Sequence, residues 1–200
     1  MRSNQYSGIK KIFGRYWIAY GGWNSILYSP YFHFSLIISI VAHGAWRNAS
    51  WYDLPISILP SIIGFSLGGY AIWLALGDDK FKAGISGKNA EGEDSPFIKV
   101  NAAFVHFIVL QILALIFSLG AQSRPIYNIP VNWKIAILEV APVFSGVNEY
   151  LTYFASFFGY FLFIYAIMSA LAATMAIFRI AGWLDHHHAN QKKIVSKNNL

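Results

Sequence analysis

The chain has 200 residues, of which 56% are apolar and 12% charged, with 35 aromatic side chains and a formal net charge of +6. Soluble domains carry about 45–50% apolar and roughly 25% charged residues, so these proportions exclude a soluble enzyme, a nucleic-acid-binding domain and a disordered chain. The absence of cysteine excludes disulfides, thiolate metal sites and a cysteine nucleophile.

The charges are clustered. Uncharged runs at 16–46, 54–77, 100–123 and 150–178 hold 31, 24, 24 and 29 residues, each long enough for the about 20 apolar residues that a membrane crossing needs. Ahead of the first span, residues 9–23 have a period of their own. Ile9, Ile12, Phe13, Tyr16, Trp17, Tyr20 and Trp23 recur at helical spacing, and Lys10, Lys11 and Arg15 fall outside that stripe. This is the pattern of an amphipathic helix lying in the inner interface and drawn to anionic lipid, although the same periodicity suits an extension packed on the other helices. Lys10, Lys11, Arg15, Trp17 and Trp23 are the candidate membrane-surface residues. Gly21-Gly22 then lets the chain turn into span one, 29–46, which is longer than the roughly 7–15 apolar residues of a signal peptide and is expected to stay in the chain.

The connection 47–53 is short, so spans one and two are expected to be antiparallel neighbours. Span two, 55–77, opens on Pro55, which suits a first helical turn; Pro60 should kink the helix or mark its true start. The loop 78–99 contains a Gly-rich polar run, 83–92, that reads as flexible and as the place where a cytoplasmic partner would bind. Span three covers 101–121 and span four 149–180. In the outer segment 122–148, the apolar stretch 133–140 is too short to cross and reads as a surface or re-entrant helix. The tail 181–200 is polar and reads as frayed.

Twelve of the fifteen Lys and Arg residues lie before span one, in the 78–99 loop, or at the end of span four (Arg179) and after it, and only Arg47, Arg124 and Lys134 lie on the other side. The positive-inside rule therefore puts both termini in the cytoplasm. The expected architecture is an all-α integral membrane protein, a four-helix transmembrane bundle with an N-terminal interfacial amphipathic helix.

Small residues mark the expected packing. In span two Ser57, Ser61, Gly64, Gly68, Ala71 and Ala75 follow one another at spacings of four, three, four, three and four. Such stripes let backbones approach closely in lipid, and a 3.5-residue repeat implies a left-handed crossing. Span one repeats the theme with Ser35, Ser39 and Ala42, span three with Gln111, Ala114, Ser118 and Ala121, and span four with Ala166, Ala170 and Ala173. Because every span owns a seam, the expectation is that these stripes close one monomeric bundle, with a contact between protomers as the alternative. The opposite face of span two, with Leu59, Ile62, Tyr70 and Trp73, is then left for lipid or a second interface.

Candidate chemistry is sparse. Gly64-Phe65-Ser66-Leu67-Gly68 matches G-x-S-x-G, but a nucleophile elbow needs a strand–turn–helix context, and in a membrane helix these glycines are explained by packing. His33, His43 and His106 lie within spans, where ionisable groups are costly and become functional candidates. With Gln111 and Asn101 they form a candidate polar lining; the plain alternative is that each His is neutral and hydrogen-bonded across helices. No span interior carries Asp, Glu, Lys or Arg, which argues against an ion-coupled transporter. The tail His186-His187-His188 reads as solvated rather than metal-binding. No catalytic residue, metal or cofactor is assigned.

The expected partners are the bilayer, further copies of the chain and a cytoplasmic protein at 78–99, with no nucleic acid. Three functional classes fit. The first is a homo-oligomeric pore or membrane-permeability effector, and the second a non-catalytic membrane subunit or anchor recruiting a cytoplasmic partner. The third is a membrane-embedded enzyme or lipid-binding protein using the in-membrane His residues.

Overall fold

The structure, a computed structural model, describes residues 5–87, 94–123, 132 and 144–198. Among these residues the regular structure is entirely helical: α1 Gln5–Tyr20, α2 Gly22–Leu27, α3 Pro30–Val41, α4 His43–Trp46, α5 Asp53–Ala75, α6 Asp79–Ile85, α7 Pro96–Gln122 and α8 Phe144–Asn198. Three of them are long and apolar enough to cross a membrane: α5 with 23 residues, α7 with 27, and the part of α8 from Tyr150 to Lys193. At 1.5 Å per residue, α5 and α7 extend about 35 and 40 Å, beyond the roughly 30 Å of a hydrocarbon core.

Several boundaries differ from the sequence expectation, each for a local reason. Span one is not one continuous helix over 29–46. The 12-residue α3, about 18 Å long, ends at Val41, and Ala42 leaves the helical basin with φ −80° and ψ 31°. The Ser39 carbonyl that would have accepted from the His43 N–H instead accepts from Trp46 Nε1 at 2.9 Å, so the indole holds the break open. Helix α5 starts at Asp53, upstream of both prolines, and runs through Pro60, so Pro60 is not its start. Helix α7 begins at Pro96, where Ser95 Oγ accepts from the Ile98 N–H at 3.3 Å. The first part of the middle loop is the helix α6 rather than flexible chain. Its N-terminal Asp78 side chain accepts from the Phe81 N–H at 2.7 Å, and Gly77 takes a φ of +81° beneath the Phe81 ring. The tail is helical as far as Asn198 and is a continuation of α8. The stretch 133–140 and Gly-rich residues 88–92 lie outside the described residues.

The chain divides into two compact units. One comprises 1–29, 65–108 and 170–200; its core is Trp73, Val100, Phe104, Phe107, Ala173 and Ile180. Rings interlock there, with Tyr70 against Phe104 at 5.6 Å and Trp73 against Phe97 at 5.5 Å between centroids. The other comprises 30–64 and 109–169, around Trp51, Tyr52, Leu59, Leu110, Ala114, Phe161, Phe163 and Ala166. Phe32 meets Phe161 and Tyr165 edge-on at 5.3 and 5.6 Å, a geometry that aligns ring edges with the negative faces of their neighbours. In this unit a Cβ on Gly159 would overlap the rings of Trp51 and Phe117, so only glycine fits there.

Candidate functional site

Helix α5 faces the opposite way from the sequence expectation. Ser57, Ser61, Gly64, Gly68, Ala71 and Ala75 are all exposed, and a Cβ built on Gly64 or Gly68 would meet nothing within 4 Å. The face turned inward carries Leu59, Ser66 and Trp73, at 0, 3 and 2% exposure, with Ile62 and Tyr70 half-buried. The intramolecular reading of the span-two seam therefore gives way, and of the large side chains expected to face lipid or a second interface, Leu59 and Trp73 lie in the cores and Tyr70 packs against one of them. The physical reason lies in the partners. Trp73 sits in a core built from Phe104 and Phe107 and Leu59 in one built from Trp51, Tyr160 and Phe163, and such rings are filled by large side chains, each making many dispersion contacts.

The other seams do close inside the chain. Ser35 and Ser39 of α3, Gln111, Ala114 and Ser118 of α7 and Ala166 of α8 are at 0% exposure, and Ala173 is at 4%; Ala42, Ala121 and Ala170 are half-buried. The buried serines satisfy their own helices: Ser35 Oγ donates to Tyr31 O at 2.6 Å, Ser39 Oγ to Ser35 O at 2.8 Å and Ser118 Oγ to Ala114 O at 2.8 Å. Gln111 differs, because neither its amide oxygen nor its amide nitrogen has a hydrogen-bond partner among the described residues.

The remaining polar candidates have different surroundings. His33 is exposed and lies edge-on to Phe32 at 5.9 Å. His43 is also exposed, its Nδ1 donating weakly to Val41 O at 3.4 Å. Asn101 is half-buried and donates from Nδ2 to Phe97 O at 2.8 Å. His106 is buried, with its Nδ1 sharing a hydrogen bond of 2.8 Å with the Tyr16 hydroxyl. The Tyr20 ring stacks on it at 3.9 Å with 14° between planes. The structure thus joins His106 to α1, a pairing the sequence reading missed. Its signal was present as Tyr16 and Tyr20 at i and i+4, which share one helix face.

The rest of α1 is open. Lys10, Lys11 and Arg15 are exposed, and so are the apolar Ile9, Ile12 and Phe13 at 54, 69 and 53%. Trp17 is half-buried against the exposed Trp23, edge-on at 5.2 Å. Burial, and to a lesser degree the neighbouring Tyr20 phenol, pushes the Tyr16 pKa up to about 12. At the far end of α8, His187 Nε2 lies 3.7 Å from Asp78 Oδ1, and its ring contacts Phe81 at 5.6 Å. The Phe81 N–H, with His187, His188 and Lys80 nearby, holds the Asp78 carboxyl below its ordinary range. Among the described residues no three His, Asp or Glu side chains converge as metal ligands.

Comparison of the chain with protein-family models, with curated proteins and with solved structures finds no match to any of them.

Proposed function

We infer that this chain is a non-catalytic membrane subunit whose work is assembly, and that the outward small-residue face of α5 is its contact with a second copy of itself. The observation that supports this reading is the exposure of all six small residues of α5 beside three other seams that are buried. In lipid, close backbone approach at a G-x-x-x-G segment is a main source of helix association. A two-fold pairing would bring Gly64 and Gly68 of each copy to the crossing point. On this reading four segments cross the membrane, with α3 and α4 together forming the first crossing. Both termini are cytoplasmic, and α1 lies in the inner interface with Lys10, Lys11 and Arg15 toward anionic headgroups and Ile9, Ile12 and Phe13 toward the acyl chains.

A second reading, an oligomeric pore or permeability effector, draws on the exposure of His33 and His43. Such residues could line a path only between protomers. Both readings need the assembly, so the first test is the oligomeric state of the purified protein in lipid nanodiscs and of Gly64→Leu and Gly68→Leu. Wild-type multimers that fall to monomers in both variants, with Gly120→Leu on the exposed side of α7 left multimeric, support the α5 contact; a monomeric wild type overturns it. Proton and ion flux through the same protein in liposomes at pH 5.5 and 7.5 separates the readings. Flux above empty liposomes that changes in His33→Phe supports the pore, and its absence from a multimeric preparation supports the subunit.

A further inference from the structure

The unit that holds α1, α2 and the start of α7 carries a cleft of about 550 Å³, a volume in the range of small-molecule sites, roughly 300–1,000 Å³. Gly21, at the turn between α1 and α2, is one of its lining residues. That residue takes φ +97°, and a Cβ there would overlap Ser25 Oγ, so the elbow between α1 and α2 is open only to glycine. Ile18, Tyr20 and Gly21 form the elbow side of the cleft, Asp94 lies just ahead of α7, and Lys99 and Ala103 come from its first two turns. Lys99 and Ala103 are four residues apart and so share one face of that helix. Tyr20 is held in place on the elbow side by stacking on the buried His106.

The lining has an apolar part and two charges of opposite sign: Ile18, 75% exposed, half-buried Asp94 and exposed Lys99. A ligand that matches this set carries an anionic group, a cationic group and an apolar body. Helix α7 is long and apolar enough to cross a membrane, and on the proposed reading that it does so its first turns sit at headgroup depth. The geometry points to a binding site for a zwitterionic phospholipid of the phosphatidylethanolamine type. Its phosphate lies beside Lys99 and its ammonium beside Asp94, and the glycerol end leaves along Ile18 and Ala103. An ammonium with three N–H donors suits a carboxylate better than a quaternary amine does, which sets the expected preference over phosphatidylcholine. An anionic phosphatidylglycerol headgroup leaves Asp94 facing hydroxyls and a like charge.

The test uses the full chain, purified and presented with equal amounts of the three phospholipids, with retained lipid counted by native mass spectrometry. Phosphatidylethanolamine is expected to be retained above the other two. Lys99→Gln should lower that retention by about tenfold, the loss of one charge-assisted contact. Asp94→Asn should remove the preference over phosphatidylglycerol, and Ala103→Trp should fill the cleft and abolish retention. Equal retention of all three lipids by the wild-type chain overturns the site, and that measurement needs no variant to fold. Displacement of the lipid by an equal concentration of free phosphoethanolamine would assign the cleft to a soluble headgroup compound and overturn the lipid. Gly68→Leu leaves the cleft untouched, so retained lipid in a monomeric Gly68→Leu preparation keeps this site distinct from the assembly contact.

Discussion

The outward face of α5 and the inner seams of α3, α7 and α8 are built from the same residue types and stand in opposite environments. Gly64 and Gly68 have open space where a side chain would be, whereas Gly159 is pressed between Trp51 and Phe117. Ala71 and Ala75 are exposed, and Ala114 and Ala166 are sealed. The difference comes from the backs of the helices. Behind the small stripe α5 carries Leu59, Tyr70 and Trp73, large enough to fill a core by themselves. The buried stripes of α7 and α8 share their inner faces with rings such as Phe104 and Phe163, and small residues between those rings let the helices approach. In this chain a small-residue stripe is buried where large rings share its face, and is left exposed where large side chains stand behind it.

Four substitutions or titrations would break or sharpen this contrast. Gly159→Leu has the largest expected effect, because the new side chain has no room and overpacking costs about 3 kcal/mol; thermal unfolding in detergent should show a large loss of Tm, and an unchanged Tm would mean that the seam is not closed there. Gly68→Leu should do the reverse. The fold is retained, with up to about 1 kcal/mol gained from helix propensity, while self-association weakens by about tenfold or more, measured by the monomer fraction against the protein-to-lipid ratio. Gln111→Leu replaces a buried amide that has no partner among the described residues with an apolar side chain of similar size, and should raise stability by about 1 kcal/mol. A fall in Tm instead would show that the amide is satisfied by bound water.

The smallest effect lies outside both faces. Tyr16, whose pKa is raised by burial to about 12 against an ordinary 10.0, holds its proton more tightly in the folded chain than in the unfolded one. Its contribution is fully present below pH 10 and is lost as pH rises through about 12. Phenolate absorbance should therefore show one late-titrating tyrosine that disappears in Tyr16→Phe.

Much of this is legible in the sequence because lipid imposes a simple rule: runs without charge become helices long enough to cross. The positions of α5, α7 and the apolar part of α8 follow from that rule. The break at Ala42 does not, since it depends on Trp46 reaching back to the Ser39 carbonyl, a contact between side chain and backbone with no periodic signature. The rotation of α5 about its axis was misread for a different reason. Periodicity identifies two faces on a helix but not which of them meets the neighbours, and in a membrane both can be apolar. The site residues divide the same way: Gln111 is interior, as its seam implied, but the tie between His106 and α1 needed three-dimensional proximity across 90 residues of chain.

The open face of α5 has one more property. Its glycines and alanines bring no polar side-chain atoms, and Ser57 Oγ already donates to Leu54 O at 2.9 Å within its own helix. A solitary copy surrounded by acyl chains thus leaves the glycines, the alanines and Ser57 with no side-chain group to satisfy, and the exposed Ser61 hydroxyl is the one further polar group on this face. If copies pair through this face as proposed, the pairing is reversible by dilution, and the number of copies per area of membrane sets how many are paired.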